Sequence, residues 1–150
     1  MTSTQAHALK AAAILWIVWG LVHTFAGVIV LTSDATAGFQ AIADAVDPAA
    51  LEADYHVAVG GVLNQHGWNL GWFGVATMIG AVLIWQGSLT AIWVTGMVGG
   101  LADIGYLLFV DLPGYVNFVP GTIMTLVSAS AIALSFWVWM SRRQLTPSSA

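Results

Sequence analysis

The chain has 150 residues, of which 59% are hydrophobic and 7% are charged, and its formal net charge at pH 7 is −4. A soluble globular domain carries about 25% charged residues, so this composition, with a mean hydropathy of +0.85, indicates a protein that lies in lipid. Three Lys and Arg residues are too few to neutralise a run of phosphates, which argues against a nucleic-acid partner, and the lack of cysteine excludes disulfides and thiolate chemistry.

Four long apolar segments predict four transmembrane helices in a single all-α integral membrane domain. The segments cover residues 11–31, 68–85, 89–110 and 115–140. Each is long enough to cross about 30 Å of hydrocarbon as a helix, at about 1.5 Å per residue. Helices are expected because lipid offers no hydrogen-bond partner to the edge of a β-strand. The predicted fold is a four-helix bundle.

The connection between the first two spans, residues 32–67, is predicted to be a long outer loop that contains short amphipathic helices. Phe39 and Ile42 recur at helical spacing, and Asp47 followed by Pro48 is typical of a helix start. A second apolar stripe follows, until two consecutive glycines weaken the pattern. We expect these helices to lie on the outer membrane surface, over the mouth of the bundle.

The few positive charges predict the orientation of the bundle. Lys10 precedes the first span, and Arg142 and Arg143 follow the fourth, in a tail of residues 141–150. The positive-inside rule therefore places both termini in the cytoplasm, which an even number of spans allows. Size and the lack of sorting motifs favour a multi-pass protein of a cell membrane, with the bacterial inner membrane as the default.

Each predicted span carries small or polar residues at near-heptad spacing, which predicts the face that packs against neighbouring helices. In the second span this stripe consists of Asn69, Phe73, Ala76, Gly80 and Leu83. Lipid provides no hydrophobic drive between helices, so close approach of the backbones through small residues must supply the contact.

Two ionisable residues lie inside the predicted spans, His23 in the first and Asp103 in the third. Each lies about 10–12 Å below the outer end of its span, so the two share a depth in the outer half of the membrane. An unpaired carboxylate at such a depth costs roughly 2.5–3.5 kcal/mol, which favours a protonated Asp103 or a pair with His23. Such a pair is suited to handling protons near neutral pH, and it equally suits a hydrogen bond that only holds two helices together.

Further polar and aromatic residues are predicted to line a pocket at this pair, open to the outer side. They are His66, Asn69, Asn117, Tyr106 and Trp19. His66 and Asn69 lie in a segment dense in hydrogen-bonding groups, and Tyr106 follows Asp103 by one helical turn. A capped helix entry and ordinary core packing explain the same residues, and this alternative stays open.

A metal site is an alternative with less support. Glu52 and His56 are four residues apart and share a helix face if the outer loop is helical there. With His66 and His23 they would offer nitrogen and oxygen donors to zinc or iron. The spacing matches no metal motif, and a Glu–His surface pair is the commoner explanation. We therefore expect no metal and no other cofactor.

Three functions from different classes fit these features. The first is binding or transport of a lipophilic or weakly polar small molecule in an outward-facing pocket, with His23 and Asp103 setting its polarity and its dependence on pH. The second is a membrane enzyme of the isomerase or cyclase type, in which Asp103 and His23 are catalytic and act as acid and base on a lipid-soluble substrate. The third is a non-catalytic subunit of a membrane complex or a homo-oligomer, which would leave a glycine-lined helix face open.

Overall fold

The computed structural model describes residues 1–42, 48–116 and 118–143. Within these residues the chain forms six α-helices and one π-helical turn, Leu107–Asp111, which extends α5. The helices are α1 (Ser3–Thr32), α2 (Ala35–Ile42), α3 (Pro48–Leu51), α4 (Val57–Trp85), α5 (Leu89–Tyr106) and α6 (Phe118–Arg143). The all-helical fold predicted from the sequence is thereby confirmed.

Four helical segments are long and apolar enough to cross a membrane, and they match the four predicted spans in number and order. They are Ser3–Thr32, Val57–Trp85, Leu89–Asp111 and Thr122–Arg142. The segment before the second span differs from the prediction, because α4 is already helical from Val57, well before residue 68. The imidazole Nδ1 of His56 accepts a hydrogen bond from the Ala58 N–H at 3.2 Å and so caps this earlier start.

The four long helices form an antiparallel ring in the order α1, α4, α5, α6, and α6 returns against α1. The turn between α4 and α5 is short because Gly87 adopts a φ of 87°, a left-handed conformation that suits glycine. This ring leaves α1 and α5 on opposite corners. Contacts between them therefore pass through the centre of the bundle.

The tightest interface joins α1 to α4 through glycines on both helices. A Cβ atom at Gly20 would lie 2.6 Å from the Gly74 carbonyl oxygen, and one at Gly27 would lie 2.6 Å from the Gly71 amide nitrogen. Glycine is therefore required at Gly20 and Gly27 for the two backbones to approach this closely. We call Gly20, Gly27, Gly67 and Gly74 the glycine seam.

The buried face of α4 differs from the predicted stripe. The buried residues are Gly67, Gly74, Thr77, Gly80, Ala81 and Ile84, whereas Leu83 is exposed. The predicted stripe shares Gly80 with this face, whereas Phe73, Ala76 and Leu83 each lie one position before a buried residue. The reason is that α4 turns Gly67 and Gly74 toward α1, and Gly80 toward Thr95 of α5.

Two tryptophans of α1 fill the centre of the bundle. Trp16 and Trp19 are both fully buried, and their rings meet edge to face with centroids 5.9 Å apart. The Trp16 ring lies directly on Gly99 of α5, where a Cβ atom would collide with it. The same buried cluster contains Leu9, Ala13, Ile84, Ile92, Ala131 and Val138.

In the described part of the connection between α1 and α4, the chain forms two short helices, α2 and α3, and their extents differ from the prediction. The Asp34 carboxylate accepts a hydrogen bond from the Ala37 N–H at 2.8 Å at the start of α2, and α2 packs against both α1 and α4. Helix α3 begins at Pro48 as expected, while Asp47 lies outside the described residues. The second apolar stripe is not one helix, because α3 ends at Leu51 and the chain becomes helical again only at α4.

Candidate functional site

A buried carboxyl group lies at the centre of the bundle, in the half away from the two termini. Asp103 of α5 is 4% exposed, and the Trp19 indole Nε1–H of α1 donates a hydrogen bond of 2.7 Å to its Oδ2 atom. Helices α1 and α5 lie on opposite corners of the ring, and these two side chains meet across its centre. Trp19 therefore lies behind the carboxyl group and is not among the residues that line the cavity described below.

His23 is held beside the same carboxyl group by two contacts with Trp19. Its Nδ1 atom lies 2.8 Å from the Trp19 carbonyl oxygen, and its ring stacks on the Trp19 indole with centroids 3.5 Å apart. Its Nε2 atom then lies 3.8 Å from Asp103 Oδ1, too far for a hydrogen bond. The structure thus brings together the two residues that the sequence singled out, with a gap between them.

Helix α6 also reaches the carboxyl group. The Ser128 hydroxyl interacts with Asp103, and it donates a hydrogen bond of 3.1 Å to the Thr125 carbonyl oxygen. Ser128 is one of several small and polar residues in the fourth predicted span, and the sequence pattern does not distinguish it from the other serines there. Three helices therefore contribute polar groups to this one site.

A cavity of about 520 Å³ opens in front of the His23–Asp103 pair. Its walls come mainly from α1, α4 and α5, and Ala41 and Ile42 of α2 contribute to its lining. Most of the lining is apolar, including Leu70, Phe73, Leu101, Phe109, Val110 and Met124. A concave, mostly apolar space with a few polar groups at one place is the usual form of a small-molecule site.

The predicted pocket residues have different positions. His66 and Tyr106 line the cavity together with His23 and Asp103. Asn69 is not part of the lining, since its Oδ1 atom accepts a hydrogen bond of 3.2 Å from the Trp72 indole of its own helix. Asn117 lies outside the described residues.

The π-helical turn forms part of the cavity wall and has no clear signal in the sequence. Its wider backbone spacing is set by hydrogen bonds such as that from the Leu112 N–H to the Leu107 carbonyl oxygen, at 2.9 Å. Phe109 and Val110 of this turn line the cavity. Asp111 ends the turn, where its Oδ2 atom accepts a hydrogen bond of 3.3 Å from the Thr122 hydroxyl of α6. Such turns often occur at functional sites.

The residues weighed as metal ligands do not form a cluster. Glu52 lies after the end of α3 and His56 before the start of α4, so the two do not share a helix face. His56 uses its Nδ1 atom to cap α4. Among residues 1–42, 48–116 and 118–143, no three His, Cys, Asp or Glu side chains are placed to hold a metal ion.

The positive charges of the chain lie far from this site. Lys10 belongs to the first turns of α1, where its Nζ atom lies 5.2 Å from the centre of the Trp85 ring, at the C-terminal end of α4. Arg142 and Arg143 end α6, at the same end of the bundle. The carboxyl group of Asp103 is therefore not balanced by a lysine or arginine.

Comparison with known proteins adds no relative to this description. No protein-family model, curated protein or solved structure matches the chain. The function is therefore inferred from the site itself.

Proposed function

We propose that this protein lies in a membrane through its four long helices and binds a lipophilic small molecule in the cavity in front of the His23–Asp103 pair. The observation that carries the proposal is an apolar cavity of about 520 Å³ with a buried carboxyl group and an imidazole at one side. The volume suits a small organic molecule. A buried ionisable pair away from the helix ends is costly in lipid, which favours a functional role.

The outer surface of the bundle supports membrane insertion. Large apolar side chains such as Phe25, Ile79, Met97 and Leu126 are more than half exposed on the long helices. In water such a surface would be an aggregation hazard, whereas in lipid it is the expected exterior. Both termini are assigned to the cytoplasmic side of a cell membrane, by default the bacterial inner membrane, because Lys10 and Arg142 mark that end.

The proposal includes a pH-dependent affinity, because groups that gain or lose a proton line the cavity. The titratable groups that line the cavity are His23, Asp103, His66 and Tyr106. Whether the bound molecule is also carried across the membrane is a further part of the binding or transport hypothesis.

The test uses a substitution that fills the cavity without disturbing its walls. Gly105 lines the cavity, and a Cβ atom there meets no atom of the described chain within 4 Å. Gly61 of α4 is the matched control, because a Cβ atom there is equally unobstructed and the residue does not line the cavity. Binding of 4-octylphenol is measured by titration calorimetry in lipid nanodiscs, with uptake by protein-free nanodiscs subtracted.

We expect the wild-type protein and Gly61→Leu to bind 4-octylphenol with similar affinity. Gly105→Leu should bind at least about tenfold more weakly, because a leucine side chain occupies the space that the ligand needs. Equal uptake by Gly105→Leu and the wild type would contradict the proposal.

A second candidate function is acid–base catalysis on a lipid-soluble substrate, of the isomerase or cyclase type. The observation in its favour is that two proton-exchanging groups face one cavity at 3.8 Å from each other. Incubation with a lipid extract of the source membrane, followed by mass spectrometry, tests it. A product that the wild type forms and a folded Asp103→Asn variant does not form would favour the enzyme.

The interpretation as an accessory subunit has less support. That hypothesis expects an open glycine-lined helix face, whereas Gly20, Gly27, Gly80, Gly99 and Gly100 are all buried inside the described bundle. Assembly with a second copy or with another membrane protein stays a prediction.

A further inference from the structure

Two of the hydrogen-bonding atoms in the cavity lining, one on His23 and one on Asp103, lie close together, and both accept hydrogen bonds while Asp103 is ionised. The Trp19 carbonyl oxygen beside His23 Nδ1 can only accept, so Nδ1 carries the proton and donates. A neutral imidazole has one N–H, which leaves Nε2 with a free lone pair toward Asp103.

The carboxyl group of Asp103 also presents an acceptor atom to the cavity. Its Oδ2 atom already accepts from the Trp19 indole, and its Oδ1 atom is the one that lies 3.8 Å from His23 Nε2. The Ser128 hydroxyl interacts with this carboxyl group and also donates a hydrogen bond to the Thr125 carbonyl oxygen. While Asp103 is ionised, two acceptor atoms thus face one gap, and a group that donates hydrogen suits the space between them.

Given the proposed binding function, on which this step rests, we infer that the ligand is a lipophilic alcohol, phenol or primary amine whose head group lies between Asp103 Oδ1 and His23 Nε2. A hydroxyl group donates to one of these two acceptors, and an amino group can donate to both. An oxygen or nitrogen atom at about 2.9 Å from each of the two atoms fits a gap of 3.8 Å. Molecules that only accept hydrogen bonds, such as ethers, esters and ketones, can donate to neither atom. We therefore expect them to bind more weakly.

Charge excludes a further class of head group. The three basic residues of the chain lie at the opposite end of the bundle, so a phosphate or carboxylate head group would meet the Asp103 carboxyl group with no lysine or arginine to balance it. Anionic lipids and fatty acids are therefore expected to bind poorly. A neutral hydroxyl group or a protonated amine suits this site because it donates a hydrogen bond and carries no negative charge.

The experiment compares four probes that share one octylbenzene body and differ only in the head group. They are 4-octylphenol, 4-octylaniline, 4-octylanisole and octylbenzene, each measured by calorimetry in nanodiscs as above. The phenol and the aniline donate hydrogen bonds, the anisole only accepts, and octylbenzene does neither. We expect the two donors to bind at least about tenfold more tightly than the anisole and octylbenzene.

Substitution of the carboxyl group gives a second test. In Asp103→Asn, the Trp19 indole needs an acceptor, so the amide oxygen takes that side and the amide NH2 group faces the cavity. The preference for the phenol over the anisole should then disappear. Asp111→Asn is the matched control, because Asp111 is equally buried but does not line the cavity, and it should keep the wild-type preference.

The outcomes separate this inference from the proposed function. If all four probes bind the wild type equally and Gly105→Leu weakens them all, the cavity binds lipophilic molecules but the head-group inference is wrong. Tighter binding of the anisole than of the phenol also overturns it. If no probe binds the wild type more tightly than Gly105→Leu, the proposed function fails, and this inference fails with it.

Discussion

Trp19 is the residue that organises the site. Its indole N–H holds one oxygen of Asp103, its ring supports the His23 imidazole, and its carbonyl oxygen fixes the histidine Nδ1 proton. An indole donates one hydrogen bond and accepts none, so the orientation of this interaction is unambiguous. One buried side chain therefore sets the positions of both ionisable groups.

Replacement of Trp19 by phenylalanine should destabilise the protein. The substitution leaves a buried carboxyl oxygen without its donor, which costs about 1–3 kcal/mol of the free energy of unfolding. Thermal unfolding in detergent, followed by circular dichroism, measures the effect. Trp72→Phe is the control, since that indole donates to Asn69 on the exposed surface of α4, and its effect should be below about 0.5 kcal/mol. Equal effects of the two substitutions would contradict the structural role of Trp19.

At this scale the sequence predicts the ionisable pair but not its surroundings. His23 and Asp103 stand out because ionisable residues are rare in apolar segments, and a common depth suggests that they meet. The roles of Trp19 and Ser128 depend on which helices lie on opposite corners of the ring, and periodicity along one helix does not determine that. Asn69 has the expected chemistry but pairs with Trp72 instead.

The α1–α4 pair is the structural base of the bundle at the scale of helices. The glycine seam allows the two backbones to touch, as shown by the short distances from a Cβ atom at Gly20 or Gly27 to backbone atoms of α4. This contact fixes one wall of the cavity, because His23 lies between Gly20 and Gly27 along α1. Close packing of the seam thus positions the site.

A methyl group in the seam should weaken the bundle. Gly20→Ala forces α1 and α4 apart, and overpacking of this kind costs about 1–3 kcal/mol of the free energy of unfolding. Gly61→Ala is the control, because its Cβ atom meets no described atom within 4 Å and should leave stability unchanged or slightly higher. Unfolding by increasing SDS in mixed micelles compares the variants, and equal stability of Gly20→Ala and the wild type would argue against close contact.

The number and order of the long helices can be predicted from the sequence, but the face that each helix buries and the residues at which it ends cannot be fully predicted. Apolar length is sufficient to count four spans, whereas the buried face of α4 depends on which residues α1 can approach. The start of α4 depends on a histidine cap, which lies outside the usual capping residues. The π-helical turn continues α5, contacts α6 through Asp111 and Thr122, and has no simple sequence pattern.

At the scale of the whole molecule, the charges are separated between the two ends. The basic residues lie at the end that carries both termini, and the acidic residues Asp34, Glu52 and Asp54 lie in the outer connection. The proposed orientation, with both termini in the cytoplasm, rests on this separation of charges.

Single cysteines test the orientation cleanly, because the chain has none of its own. Thr4→Cys and Gln86→Cys place an exposed thiol at the inner end, and Asp54→Cys places one in the outer connection. In intact spheroplasts a membrane-impermeant maleimide should label only Asp54→Cys, and lysis should expose the other two. Labelling of Thr4→Cys before lysis would reverse the orientation.

Native mass spectrometry of the protein, gently extracted from its own membrane, tests the binding proposal most directly. We expect one small organic molecule per chain on the wild type and on Gly61→Leu, and its loss from Gly105→Leu, in which the cavity is filled. The bound molecule should carry a hydroxyl or amine group. A chain that carries no small molecule in any variant, or a ligand retained by Gly105→Leu, would contradict binding in this cavity.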